Sequence, residues 1–466
     1  MLTKTKTGVA GLSALIQGKS VALIGLGRTH TPLVRLFASL GAASITARDK
    51  NTKERNDLKQ DGAETLLGEA YLDDLTEDVI LRTPAMRPDH PALLAAAERG
   101  ALVTSEMELF LAFCPAPVYA ITGSDGMTTT STLTAKLLES AGKTVFLGGN
   151  IGLPLLPRLS EITENDAAVL ELSSFQLMGM RVSPEHALIT NLSENHLDWH
   201  RDMNEYCEAK TAIFKNQTAS DLLVLNADNG TTAPLAEDAV GRVRFFSRRR
   251  AQKNGTYCLS DDTVFFAKEG EAEPFFSRSE ILVPGDHNLE NYLAAIALTH
   301  DAIRVSGALS VARSFSGVAH RMELVGIKNG VRFYNSSIDS SPARSSATLK
   351  AFSQKPIVIM GGYDKHLNYA PLAPIITERV KALILTGQTA PKIEEALSAY
   401  APFASASIPV LKADAFRDAF ALAAKTAKEG DLVLLSPASA SFDQFRDFEE
   451  RGEVFRTLVK ELGEDA

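Results

Sequence analysis

Cysteine, tryptophan, basic charge and long apolar runs are all in short supply in this 466-residue chain. The three cysteines, Cys114, Cys207 and Cys258, match no metal-ligand spacing. So few thiols exclude a disulfide framework and fit a reducing cytosol. No segment reaches the ~18 uninterrupted apolar residues of a membrane-spanning helix. The first residues are charged and glycine-containing, unlike the apolar core of a secretion signal. Lys and Arg number 48 against 57 Asp and Glu, a net charge of −9. That balance argues against a nucleic-acid surface, and Arg248, Arg249 and Arg250 read as a solvated loop. What is present, 45% hydrophobic and 23% charged residues, suits a globular protein with room for about three domains. The expectation is a cytoplasmic protein with no nucleic-acid or membrane partner.

Strand-like and helix-like segments alternate nearly throughout, the pattern of an α/β protein built on parallel sheets. A first unit starts with the apolar run from Ser20 into Gly25 and Gly27. A helix over 32–40 and a strand over 45–48 ending at Asp49 follow. An acidic residue about twenty positions past a Gly-x-Gly turn is where a dinucleotide fold meets a ribose hydroxyl. Thr29 and His30 occupy the stretch where the third glycine would stand, so a dinucleotide and a uridine nucleotide both stay open. Pro115, Ala116 and Pro117 read as a linker, because proline restricts itself and its predecessor to extended backbone. Strands are expected at 167–172, 187–190 and 222–225, some antiparallel sheet between Val243 and Val283, and a helix over 289–305. After Gly317 the alternation restarts, with strands at 357–360, 382–385, 409–411 and 432–435. The expected domains are residues 1–116, 117–316 and 317–466.

Gly123, Ser124, Asp125, Gly126, Met127, Thr128 and Thr129 follow the strand-like run 118–121 and open a helix-like stretch. Glycines there let backbone N–H groups turn onto phosphate oxygens, and the helix N-terminus favours an anion. A lysine ordinarily follows the second glycine to bond the β/γ-phosphates, and a hydroxyl after it holds Mg²⁺. Thr128 supplies the hydroxyl; the lysine position holds Met127. Taken alone, an ordinary strand–helix turn fits equally well. Glu171 ends an apolar run and is placed to hold a divalent cation. His196 and His200, in the segment 191–200, are four apart but lack the glutamate of a zinc protease. Lys210 lies on an amphipathic helix, where a solvated lysine is the plainer reading.

These segments resemble the central domain of the Mur ligases: 123–130, 148–152, 171–177, 191–200 and Ala209 with Lys210. Gly285 to Asn288 with Asn291, then His320 to Glu323, extend the likeness. So do Gly361 to Lys365, Ser436 to Phe445, Phe448, and Arg451 with Gly452, closest to the branch that adds D-glutamate. The resemblance implies a Rossmann-like N-terminal domain for a UDP-sugar, a central ATP-binding domain with a mostly parallel sheet, and a C-terminal Rossmann-like domain for the amino acid. It implies a monomer that uses ATP and Mg²⁺, with UDP-N-acetylmuramoyl-L-alanine and D-glutamate as substrates. By resemblance, residues 123–129 hold phosphates, with Asn288 and Asn291 at adenine, Arg321 at ribose or phosphate, and Ser336 also at the nucleotide. Thr128, Glu171 and His196 hold metal, and Lys210 is a carbamylated lysine supporting a second metal. Arg28, Thr29, Asp49 and Asn150 face the UDP-sugar. Lys365, Ser441 and Phe448 grip D-glutamate, with Ser340 in place of a family threonine. Lys210, His196 and Lys365 carry catalysis.

Two departures bear on ATP. Met127 replaces the loop lysine, and Ser336 stands where the family has an aspartate. Asp339, three residues on, offers a carboxylate through a local register shift. Loss of a cation at phosphate costs roughly 1.5–3 kcal/mol in the ground state and roughly 10²–10³-fold in rate. Three readings follow: a D-glutamate-adding ligase impaired by Met127 and Ser336, a catalytically silent nucleotide- or UDP-sugar-binding paralogue, and an NAD-dependent oxidoreductase built on Gly25 and Gly27.

Overall fold

A computed structural model describes residues 2–197, 199–283 and 285–463, and among these twenty strands form three separate sheets. The first comprises β1 (Ser20–Ile24), β2 (Ser44–Asp49), β3 (Glu64–Leu67), β4 (Val79–Arg82) and β5 (Leu102–Thr104), all parallel, in the order β3-β2-β1-β4-β5. The second runs through β6 (Val118–Thr122), β7 (Val145–Gly149), β8 (Ala167–Glu171), β9 (His186–Ile189), β10 (Leu222–Asn226), β11 (Arg242–Ser247), β12 (Gly255–Cys258), β13 (Thr263–Lys268) and β14 (Glu271–Ser277). Its order is β14-β13-β12-β11-β10-β9-β6-β8-β7. Only the β12–β13–β14 end is antiparallel, the segment where short alternating runs lead the sequence to expect it. The third contains β15 (Glu323–Lys328), β16 (Val331–Asn335), β17 (Ile357–Met360), β18 (Ala382–Leu385), β19 (Val410–Lys412) and β20 (Leu432–Leu435), ordered β15-β16-β20-β17-β18-β19. There β15 pairs antiparallel with β16, and the rest are parallel.

The strands form where they do because they are apolar on both faces. Every residue of β6, β8, β10, β17 and β20 is buried, as expected for parallel strands covered by helices on both sides. By contacts the chain divides into two compact units, Met1–Glu280 with Leu289–Arg313, and Ile281–Asn288 with Ser314–Ala466. The first two sheets share one unit, and Ala116 in the proline segment between them is fully buried.

The helix expected over 289–305 is two pieces. Asp286–Thr299 ends in a 3-10 turn, His300–Ala302, and a second helix spans Val305–Ser314. Thr299 donates its hydroxyl back to Ala295 O at 2.7 Å, a bond that bends a helix.

Each sheet reverses its winding once: beside β1 in the first, beside β6 in the second, beside β17 in the third. Such reversals open a crevice at the carboxyl ends of the strands, where doubly wound folds bind ligands. The glycine loop leaves β6, Gly25 leaves β1, and Gly361 leaves β17.

Candidate active site

The glycine loop is held in shape before any ligand arrives. Gly126 is left-handed, at φ 78°, and leads directly into the helix Met127–Ser140. Gly123 has φ 156°, and a Cβ there would lie 1.8 Å from Thr190 Oγ1. No larger residue fits either position without moving its neighbours. The loop is fastened to the segment after β9. Ser124 N donates to Asn191 O (2.9 Å), Asp125 N to Asn191 Oδ1 (3.0 Å), and Thr190 Oγ1 to Asp125 O (2.7 Å). Ser124 Oγ donates to Ser193 O (3.0 Å) and lies 2.8 Å from Tyr206 Oη. Asn291 meets the loop from the other side. Its Oδ1 accepts from Thr130 Oγ1 at 3.1 Å and stands 2.5 Å from where a Cβ on Gly126 would be. Asn288 is buried, one turn earlier on the same helix.

Lys210 is not a solvated helix lysine. It is 2% exposed, and Nζ donates to Gly123 O (2.7 Å) and Thr122 Oγ1 (3.0 Å), 5.0 Å from the Tyr206 ring. Burial lowers its pKa to about 7, opposed by the charge of Glu171. Its ammonium thus sits at the base of the phosphate loop, a place the amphipathic pattern does not reveal.

Glu171, at the end of β8, is 1% exposed rather than a surface residue. Its Oε1 accepts from Asn150 Nδ2 at 2.8 Å, while Oε2 is buried with no hydrogen-bond partner. Asn150, expected to face a UDP-sugar, directs its side-chain amide to Glu171. His196 is exposed, left-handed at φ 54°, with its ring 4.9 Å from Phe175. His200 is buried: Nε2 lies 2.9 Å from Ser174 Oγ, and burial lowers its pKa. Asp198 of the same segment lies outside the described residues. Thr128 is half-buried in the first helical turn. Since β8, β6 and β9 are neighbours, Thr128, Glu171 and His196 all follow carboxyl ends of adjacent strands.

At the carboxyl end of the first sheet a cleft of about 590 Å³ is lined by Gly25, Asp49, Tyr71, Thr83, Arg87 and His90, among others. Asp49 is fixed there by Leu26 N on Oδ2 (2.5 Å) and Asn51 N on Oδ1 (2.8 Å). Arg28 is exposed and Thr29 half-buried in the turn beyond Gly25; neither is among the residues lining the cleft.

In the second unit, the loops after β17 and β20 meet at the bridge between Tyr363 and Ala440. Lys365 is exposed, with Nζ 5.3 Å from the Phe442 ring; Ser441 is buried close by in sequence. Ser337 Oγ donates to Phe448 O at 2.8 Å. The organiser, to which the sequence reading assigns no role, is Arg451. It is 2% exposed and donates to Ser337 Oγ, Ser337 O, Ser439 O and Ala440 O at 2.9–3.2 Å. Burial lowers its pKa to about 10. An Arg in a helix with an apolar stripe gives no sign in sequence of being the buried one.

Ser336 is fully buried and its Oγ accepts from Met322 N at 3.3 Å. Asp339 is 4% exposed, accepts from Ser436 Oγ at 2.8 Å, and lies beside Ser336, Thr348 and Arg321. Burial raises its pKa. Ser340, half-buried, follows directly, its N donating to Ile338 O (2.7 Å).

Residues 121–299 match the Mur ligase middle domain and residues 320–439 the Mur ligase glutamate ligase domain. The chain is 48% identical, over 96% of its length and 97% of the relative's, to the UDP-N-acetylmuramoylalanine–D-glutamate ligase of Acetivibrio thermocellus. The protein of the same name from Ruminiclostridium cellulolyticum is 45% identical over 96% and 97%. Among solved structures, the UDP-N-acetylmuramate-alanine ligase of Thermotoga maritima superposes with a TM-score of 0.56 at 19% identity, over 96% of this chain and 100% of that one. A UDP-N-acetylmuramoyl-L-alanyl-D-glutamate–2,6-diaminopimelate ligase gives 0.56 at 17%, over 95% and 93%. These last two show the fold alone. The oxidoreductase reading of Gly25 and Gly27 is overturned, because the relatives account for nearly the whole chain and carry a ligase name. By sequence identity over 96% of its length, the chain belongs to the Mur ligases.

Proposed function

We propose that this chain joins D-glutamate to UDP-N-acetylmuramoyl-L-alanine at the cost of one ATP, in peptidoglycan precursor synthesis in the cytoplasm, as a monomer. The alanyl carboxylate attacks the γ-phosphorus, ADP leaves, and an acyl phosphate forms. The amine of D-glutamate attacks the acyl carbon, an amide bond forms, the amine proton is released and inorganic phosphate departs. The observation that carries this reading is identity of 48% across 96% of the chain to a relative bearing that activity in its name. Nothing among these relatives favours a silent binding protein.

Apart from the loop cation that Met127 does not provide, the residues offer groups for both steps. The 123–126 backbone cradles phosphates, and the helix beginning at Met127 adds its dipole. Asn291, touching Gly126, is read as an adenine contact together with Asn288, Arg321 as a ribose or phosphate contact, and Ser336 as a nucleotide contact. Residues 1–116 take the UDP-sugar, 117–316 the ATP and 317–466 the amino acid. In the first of these, Asp49, Arg28 and Thr29 are the sugar-nucleotide contacts. Lys365, Ser441, Phe448 and Ser340 are read as holding D-glutamate.

The reading of a Mg²⁺ site is supported by Glu171 Oε2, a buried carboxylate oxygen without a partner. Glu171, His196 and the Thr128 hydroxyl would hold it. Among the described residues no group of three or more His, Cys, Asp or Glu could hold a metal ion by itself. A protein that offers so few ligands suits a cation that keeps water and phosphate oxygens around it. When bound, the metal offsets charge on the phosphoryl oxygens. Lys210, with a pKa near 7, has a neutral amine available to take up carbon dioxide as a carbamate, releasing a proton.

The test is phosphate release with ATP, UDP-N-acetylmuramoyl-L-alanine and D-glutamate, on this chain and on Met127→Lys. Phosphate should appear only when both substrates are present and in step with the amide product. Phosphate release indifferent to D-glutamate, with no amide formed, would overturn the reading.

A further inference from the structure

Arg87 stands in the turn after β4 that lines the cleft of the first sheet. A guanidinium offers five N–H donors in a rigid planar fork. Here all five are spent. Nε and Nη2 donate to Asp89 Oδ1 and Oδ2, both at 2.9 Å. Nη2 also donates to Glu205 Oε1 (2.7 Å), and Nη1 to Glu205 Oε2 (3.1 Å) and Trp199 O (3.3 Å). The guanidinium carbon lies 5.2 Å from the Trp199 ring centroid, within cation–π range. A group with no donor left does not bind what enters the cleft; it joins one piece of protein to another.

The partner side is built to receive it. Glu205 is 8% exposed and also accepts from Arg201 N (2.8 Å) and Arg201 Nε (2.5 Å), with His200 Nδ1 3.6 Å away. It lies in the first turn of the helix Met203–Thr211, which Asp202 caps through Glu205 N. Five residues on, the same helix carries Lys210, bonded to the phosphate loop. Trp199, three residues past His196, is gripped by the same guanidinium through its carbonyl and its ring.

We infer that Arg87 is a positioning residue that locks the cleft-lining turn to the His196–Lys210 segment, so that a nucleotide filling the cleft steadies the reacting end of the second sheet. This rests on reading the cleft as the nucleotide-sugar site. A ligand that orders residues 83–91 lowers, through the Asp89–Arg87–Glu205 bridge, the ordering cost of residues 199–211. Lysine, a point charge with three donors, does not span two carboxylates side by side in this way.

Hydrogen exchange on the full chain, with and without uridine 5′-diphosphate, tests this without relying on turnover. In the parent, the nucleotide should slow exchange in 83–91 and, by about fivefold or more, in 199–211. In Arg87→Met, Arg87→Lys and Glu205→Gln it should still bind and protect 83–91, while protection of 199–211 falls below about twofold. Full protection of 199–211 in all three variants overturns the proposal. So does loss of nucleotide affinity, by calorimetry, in Arg87→Met but not in Glu205→Gln, since Arg87 would then be a ligand contact. Should Arg87→Met fail to fold, Glu205→Gln decides alone. If the parent itself does not bind the nucleotide, the cleft assignment falls first, and the proposal with it.

Discussion

Restoring a cation to the phosphate loop should raise ligase turnover with little change in stability. Met127 is the first residue of the helix Met127–Ser140, half-buried, directly after the left-handed Gly126. Lys and Met have nearly the same helix propensity and stem length, so Met127→Lys asks for no new space and no new backbone. The loop is already braced by Ser124 N on Asn191 O, Asp125 N on Asn191 Oδ1 and Thr190 Oγ1 on Asp125 O. The missing contribution is the charge-assisted bond itself, roughly 1.5–3 kcal/mol. Because charge on the transferred phosphoryl group grows along the reaction path, kcat should rise by roughly 10²–10³-fold, more than ATP affinity improves. The assay is continuous phosphate release with saturating substrates, paired with calorimetric ATP binding and a thermal melt on both proteins. Equal kcat in parent and Met127→Lys, with ATP bound and melts superimposed, would refute the idea that the cation is what the loop lacks.

The remaining outcomes come from groups whose burial the structure now specifies. Ser336→Asp alone should destabilise the protein, since it sets a second carboxylate beside the buried Asp339, and two such groups do not both ionise in one buried place. Urea melts should show recovery in Ser336→Asp/Asp339→Ala; equal stability of the two variants would count against this. Glu106 is 3% exposed, accepts from Leu156 N at 3.0 Å, and burial raises its pKa from 4.5 to about 7. The folded protein therefore keeps a proton that the unfolded chain loses, and this contribution is present below about pH 4.5 and gone above about pH 7. Glu106→Gln should match the parent near pH 4.5 and exceed it at pH 8 by up to about 3 kcal/mol; a pH-independent difference would contradict the assignment. Arg451→Met should cost several kcal/mol, because it leaves the carbonyls of Ser337 and Ser439 without their donor, at roughly 1–3 kcal/mol for each unsatisfied group, while Ala440 O keeps its bond from Tyr363 N. A melt unchanged within error would show that water replaces the guanidinium.

Much of this molecule was written into local sequence. Strand positions at 167–171, 222–226, 357–360 and 432–435 were legible because parallel strands buried on both faces are short, continuous apolar runs. The phosphate loop was legible because Gly123 and Gly126 adopt backbone angles that side chains disfavour, and because a strand ends where it begins. Charge, thiol count and the absence of long apolar segments narrowed the function class without any fold.

Tertiary structure decided what depends on partners far apart in the chain. The helix pattern around Lys210 admits a solvated ammonium, and only the tertiary fold, which brings its side chain to the carboxyl end of β6, buries it to 2% and turns Nζ onto Thr122 Oγ1 and Gly123 O. Three residues past Ser336, Asp339 offered a replacement carboxylate; the fold buries it beside Ser336, where it accepts from Ser436 Oγ. Arg87 and Glu205 are 118 positions apart, and nothing in either neighbourhood announces that a cleft-lining turn and a helix start share one ion pair. Periodicity reports which face of an element is apolar. Which charge is buried, and against what, is set by the few long-range contacts that the summed burial of the cores brings into place.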